Sequence, residues 1–157
     1  MDLIYKQATI EDLDLIVKER IKVLRAANKL DDEYDMSKVE KESYSYYKKG
    51  FEDNNFIYYL VYNNDNKVVA CGGCSFYEVM PTCDNNSGKC AYIMNMYTDP
   101  DYRKQGIATK ILDKLIKEIN KRNVYRITLE ATDMGRGLYK KYGFVNLRNE
   151  MEYMYKR

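Results

Sequence analysis

The stretch Pro100-Asp101-Tyr102-Arg103-Lys104-Gln105-Gly106-Ile107-Ala108-Thr109 decides how this chain is read. An apolar, strand-like run, Ala91-Tyr92-Ile93-Met94-Asn95-Met96-Tyr97, precedes it, and an amphipathic helix over residues 107–120 follows. The first N–H groups of a helix have no partners within it, and the helix dipole is positive at that end. A turn that brings a glycine and free backbone N–H groups to a helix start is therefore built to hold an anion. Arg103 and Lys104 add positive charge at the same place. The chain is expected to grip a phosphate-bearing molecule here.

Working outward from the turn, the helix after it has Ile107, Ile111, Leu112, Leu115 and Ile119 on its inner face. Residues 125–131 read as a strand, and residues 135–142 as a short helix ended by Gly143, which can adopt the left-handed cap. Residues 144–155 alternate enough to supply one or two last strands. Upstream, residues 3–8 read as a first strand. Thr9-Ile10-Glu11-Asp12 then resembles a capping signal for a helix whose inner face is Leu13, Ile16, Val17, Ile21 and Leu24. Ser37 with Glu40 marks a second helix running to about Gly50. Residues 56–62 and 67–79 read as two strands of a hairpin joined by Asn63-Asn64-Asp65-Asn66. The loop over residues 80–89 can be a substrate-facing lid or only a connection. This order predicts one α/β (α+β) three-layer domain over residues 1–157, with a mixed sheet of about six or seven strands flanked by about four helices. The segment from Ala91 to Ala131 should form a right-handed crossover.

Composition removes several classes of function. Charged residues make up 32% of the chain and the net charge is only +2, so no basic excess drives nucleic-acid binding. The chain has 17 Tyr but no Trp and no His. Without His, neither a Ser-His-Asp triad nor a His-ligated metal site can form, and acid–base work falls to Glu, Asp, Lys, Tyr or Cys. The first residues lack the charged-then-apolar form of a signal peptide, and no run approaches the roughly twenty apolar residues of a membrane span. A cytoplasmic protein without a membrane partner is expected. The Cys71-Gly72-Gly73-Cys74 element invites a zinc or redox reading, but Cys83 and Cys90 are spaced by six residues and no His completes the set. Residues three apart on a strand point to opposite faces unless a bulge realigns them. Buried structural thiols, and no metal, are expected.

These residues resemble a known family. Arg103-x-x-Gly106-x-Ala108 is similar to the acetyl-CoA signature of the GCN5-related N-acetyltransferases, (Gln or Arg)-x-x-Gly-x-(Gly or Ala). Leu138-Tyr139-Lys140-Lys141-Tyr142-Gly143-Phe144 looks like the family's later Leu-Tyr-x-x-x-Gly-Phe element, and Ala8-Thr9-x-Glu11-Asp12-Leu13 is similar to the opening of many members. The resemblance runs in the family's order over essentially the whole chain. It implies acetyl-CoA as acetyl donor, no metal, and direct attack by the neutral primary amine of a small molecule or peptide. Met96, Tyr97 and Thr98 would pair with the pantetheine arm and polarise the thioester carbonyl. Arg103, Lys104, Gln105, Gly106, Ile107, Ala108 and Thr109 would hold the pyrophosphate. Tyr139 would meet the departing thiolate. A free tyrosine titrates near 10 and a thiol near 8.5, so full proton transfer is uphill by roughly 2 kcal/mol, and a hydrogen bond to developing thiolate charge can be most of the role.

The amine must lose a proton, for which Glu130 can serve if burial raises its pKa, with Glu78 and Asp133 as rivals. Arg20, Glu78, Asn95 and Asp133 are the candidate acceptor-lining residues. Acids there suit a polyamine, aminoglycoside or peptide amine, whereas Arg20 suits a carboxylate-bearing acceptor or simply snorkels past the core edge. Many members place an Asn after the fifth strand where this chain has Thr132-Asp133-Met134-Gly135, and Asp133 or Arg136 is expected to occupy its space. Two alternatives remain open: a non-catalytic acyl-CoA-binding or regulatory domain of the same fold, and assembly as a homodimer. A P-loop nucleotidase would need a Gly-Lys-Ser/Thr ending that the turn lacks.

Overall fold

Phe56-Ile57-Tyr58-Tyr59-Leu60-Val61-Tyr62 contains no charged residue, so a strand made of it needs cover on both faces. The computed structural model, which describes residues 2–156, provides that cover. Its strands are β1 (Ile4–Gln7), β2 (Phe56–Tyr62), β3 (Val68–Glu78), β4 (Lys89–Thr98) and β5 (Arg126–Leu129). Its helices are α1 (Leu13–Ala27), α2 (Ser37–Glu52), α3 (Ile107–Lys121) and α4 (Asp133–Tyr142). The five strands lie in sequence order in a single sheet, antiparallel from β1 to β4, with β5 parallel to β4. A parallel neighbour requires a crossover, and α3 supplies it, as the segment around the turn led one to expect.

Alternation along β2 builds the two halves of the core. Ile57, Tyr59 and Val61 meet Ile111, Leu112, Leu115 and Ile119 of α3 on one face. Phe56, Tyr58 and Leu60 meet Ile16, Val17 and Val23 of α1 and Tyr47 of α2 on the other. Among the described residues the sheet is mixed and flanked by four helices as expected, with five strands, close to the expected number. Residues 144–156 form no strand, and Met151, Tyr153 and Tyr155 stand 99%, 80% and 81% exposed. Gly143, at φ +120°, turns the chain after α4, and Phe144 packs back beside Tyr139 and Tyr142. Alternation assigns faces to a strand, but a strand also needs an edge to pair with.

The cysteines follow the strand argument. Cys71 lies in the α1/α2 half of the core and Cys74 in the α3 half, so the pair cannot share a ligand. All four thiols are free, with Cys71, Cys74 and Cys90 buried and Cys83 exposed. Among the described residues no group of three or more acidic or Cys side chains could hold a metal ion. No helix among them is long and apolar enough to cross a membrane.

Candidate active site

The site begins as an irregularity in β4. Cys71 pairs with Tyr97 and Gly73 with Met94, which leaves Asn95 and Met96 opposite Gly72 alone. This is a β-bulge, with Asn95 in the left-handed region at φ +59°. The extra residue resets the alternation: Met96 packs toward α3 while Tyr97 packs toward α1. A side chain at position 72 would collide with Met96, since a Cβ there would lie 2.3 Å from its Sδ. On its other edge, β4 pairs with β5 only as far as Ile93 and Leu129. From Met94 to Thr98 that edge carries no ladder, so its backbone is open to an extended ligand.

The strand leads into the turn the sequence singled out. Lys104 and Gly106 both adopt left-handed conformations, at φ +60° and +76°, and Gly106 is the residue before the first turn of α3. The backbone N–H groups of Lys104, Gln105, Gly106, Ile107, Ala108 and Thr109 find no acceptor among the described residues; the first bonded one is Lys110, to the Gly106 carbonyl. Alternating backbone of this kind curls successive N–H groups into an anion-binding nest, and the helix dipole acts in the same direction. No protein atom lies within 4 Å of the position a Cβ would take on Gly106, so the glycine opens onto space.

Across that space stands α4. Thr132 caps it by accepting from the Gly135 N–H at 3.2 Å, in place of the Asn common in the resembling family. Gly135 lets the Tyr139 ring approach the first turn; a Cβ there would lie 3.1 Å from the ring. Together these elements enclose a cleft of about 680 Å³. It is lined by Met96, Tyr97, Thr98, Arg103, Lys104, Gly106, Ile107, Ala108, Thr109 and Tyr139 among the residues expected, and by Thr132, Met134 and Leu138 among those not expected. Gln105 turns its side chain back to the Asp101 carbonyl. Arg103 folds over the Tyr97 ring and donates to the Thr98 carbonyl at 3.0 Å, bracing the end of β4.

Tyr139 is 9% exposed and packs edge-on against Phe144. Burial raises its pKa above the ordinary tyrosine value. Its hydroxyl hydrogen-bonds to no described residue, although it lines the cleft.

The acceptor-side candidates divide. Arg20 and Asn95 come together: an Arg20 Nη donates to Asn95 Oδ1 at 3.0 Å, and Asn95 Nδ2 donates to the buried Tyr58 hydroxyl at 2.7 Å. The Cys71 thiol donates to the Asn95 carbonyl. Glu130 follows the last residue of β5 and is exposed, so the burial asked of it as a base is missing. Asp133 is exposed at the start of α4. Glu78 pairs with Lys89 at the far end of the sheet, beside Phe76, Arg122 and Val124, and is not brought to the cleft. The signals for the residues sequence reading missed, Thr132, Met134 and Leu138, were faint: a Thr before a short helix, and two apolar side chains on that helix.

A mixed five-strand sheet of this order, with a bulged fourth strand leading into an anion-binding turn, defines an acetyltransferase fold. Residues 24–144 match the family described as Acetyltransferase (GNAT) family, and the chain belongs to it. No curated protein sequence matches the chain. The crystal structure of a predicted acetyltransferase with acetyl-CoA from Clostridium acetobutylicum is similar to it at 33% identity and a TM-score of 0.89, covering 98% of this chain and 96% of that one. A GCN5-related N-acetyltransferase from Ralstonia eutropha shares the fold at 22% identity and TM-score 0.83, over 98% of this chain and 99% of that one. An aminoglycoside acetyltransferase from an uncultured soil metagenomic sample, in complex with sisomicin, shares the fold at 14% identity and TM-score 0.73, over 99% and 96% of the two chains.

Proposed function

We propose that residues 1–157 form one acetyl-CoA-dependent N-acetyltransferase domain that moves an acetyl group to the primary amine of a small molecule or peptide by direct attack. The observation that carries this reading is the run of backbone N–H groups from Lys104 to Thr109 without acceptors, opening into one cleft with the free edge of β4 and Tyr139. The donor set fits the cosubstrate: unpaired amides and two cations suit a pyrophosphate, and a bare strand edge suits the amide groups of a pantetheine arm. When bound, acetyl-CoA supplies a thioester, the activated acyl group that an amine can take.

The chain's own residues supply position and electrostatics. Lys104, Gly106 and the first turn of α3 hold the phosphates. Met96, Tyr97 and Thr98 would present backbone groups of the open β4 edge to the arm, and the Met96 N–H would meet the carbonyl charge as it develops. Tyr139 donates a hydrogen bond to the leaving sulfur. Because burial raises its pKa, the phenol stays protonated and complete proton transfer becomes harder, so hydrogen bonding is the larger part of its role. Glu130, exposed at the end of β5, would relay the amine proton to water rather than retain it. Asp133 and the Arg20–Asn95 pair border the acceptor side. Four free thiols suit a reducing compartment, and we place the protein in the cytoplasm.

The test is acetyl-CoA at saturation with a panel of amines, following thiol release. Amine-dependent release is the expected result. Tight binding of acetyl-CoA with no release for any amine would instead identify a non-catalytic acyl-CoA-binding domain.

A further inference from the structure

We propose that Arg20 binds a carboxylate of the acceptor, so that the amines this protein acetylates are amino acids or related amino-carboxylates. This inference rests on the acetyl-transfer reading. A half-buried guanidinium loses much of its hydration, and proteins normally offset that loss with an acid. Arg20 is half-buried, yet it is in no ion pair among the described residues. Lys22, on the same helix, is paired with both Asp99 at 2.7 Å and Glu19 at 3.7 Å. Among the described residues the one acceptor of the Arg20 guanidinium is Asn95 Oδ1. A guanidinium carries five N–H donors in a planar fork that matches a carboxylate. Holding Asn95 uses a small part of that capacity.

Its placement gives the spare capacity a use. Asn95 sits in the bulge, one residue before Met96, so Arg20 is a single hydrogen bond from the strand segment that flanks the reaction. The bulge turns Asn95 toward Tyr58 and Arg20 of α1, whereas Met96 faces α3 and the donor turn. An acceptor must reach the bulge from the side the donor leaves free, and on that side it meets Arg20. Glu130 lies between Leu129 and Ala131, which pack on the α3 face, so strand alternation points it to the α1/α2 face as well. A cation and an acid on one face, separated by the bulge, suit a zwitterion with its amine toward Glu130 and its carboxylate toward Arg20.

The experiment compares leucine, phenylalanine and glutamate with their carboxamides as acceptors, in the wild type and in Arg20→Gln and Arg20→Lys variants whose folding is checked by thermal melting. In the wild type, kcat/KM for each amino acid should exceed that for its amide by ten- to a hundredfold. Arg20→Gln should lower kcat/KM for each amino acid at least tenfold more than for its amide and so abolish that preference, and Arg20→Lys should retain part of it. Independently of turnover, an N-acetylamino acid with coenzyme A should raise the wild-type melting temperature more than the N-acetylamino amide, and Arg20→Gln should equalise the two. Equal use of acids and amides by the wild type would overturn the proposal, as would an equal loss for both in Arg20→Gln, which would limit Arg20 to supporting the bulge. Absence of thiol release with every amine tested would overturn the acetyl-transfer reading itself.

Discussion

Replacing Tyr139 by Phe separates chemistry from folding unusually well in this structure. The ring is 9% exposed, rests against Phe144 at a centroid distance of 5.9 Å, and would be retained in full. The hydroxyl it loses has no partner among the described residues, so folding stability should stay within about 0.5 kcal/mol. In the proposed reaction that hydroxyl faces a departing thiolate, and a hydrogen bond to a charged group is worth about 1.5–3 kcal/mol. Turnover should therefore fall by roughly ten- to a hundredfold. Initial rates of thiol release at saturating acetyl-CoA, calorimetric acetyl-CoA affinity and thermal melts measure the three quantities side by side. Burial raises the Tyr139 pKa above its ordinary value, so its neutral, donating form persists through neutral and mildly alkaline pH. The ratio of wild-type to variant turnover should then be flat from about pH 6 to 9. Turnover within twofold of wild type, or a loss that shows up in affinity instead, would refute the role.

Three further outcomes are expected. Gly106→Ala forces an L residue to φ +76° but meets no protein atom within 4 Å, so it should cost about 1–2 kcal/mol of left-handed strain. Its acetyl-CoA affinity should nonetheless drop more than tenfold, because the methyl enters the anion cradle; unchanged affinity by calorimetry would remove the cradle from the account. Burial pushes the thiols of Cys71 and Cys74 up to about 12, and Cys90 is buried, so a thiol reagent should find one fast site in the native protein. Cys83→Ser should remove it, and a fast site that survives would contradict the packing. Asp12 is held below the usual carboxylate value: burial opposes this, but the Lys6 ammonium and the Thr9 N–H outweigh it. A lowered folded pKa stabilises above the unfolded value near 4 and loses that contribution as pH falls through the folded one. Asp12→Asn should thus cost up to about 1 kcal/mol of capping at pH 7 and nothing in strong acid, as read by denaturant melts.

Features set by neighbouring residues were legible in the sequence. The turn, α3 and the Gly143 cap were readable because glycines, charges and apolar spacing act over a few residues. The opposite faces of Cys71 and Cys74 followed from strand geometry alone. Features set by distant pairing were not legible. The bulge at Asn95 depends on register with β3, and its link to Arg20 spans 75 residues. Glu78 looked equivalent to Asn95 as a lining residue because nothing in the chain reveals which end of the sheet a strand terminus reaches; the β3–β4 ladder carries it to the far end. The alternation of residues 144–155 was real, but no strand edge pairs with it here.

Amide hydrogen exchange resolved to single residues tests the central claim most directly. In the free protein the amides from Lys104 to Thr109 have no acceptor among the described residues and should exchange fast. Saturation with acetyl-CoA should slow them more than tenfold, together with those of Met96 and Thr98 on the open side of the cleft. Measurable acetyl-CoA binding that leaves exchange at residues 104–109 unchanged would contradict the account.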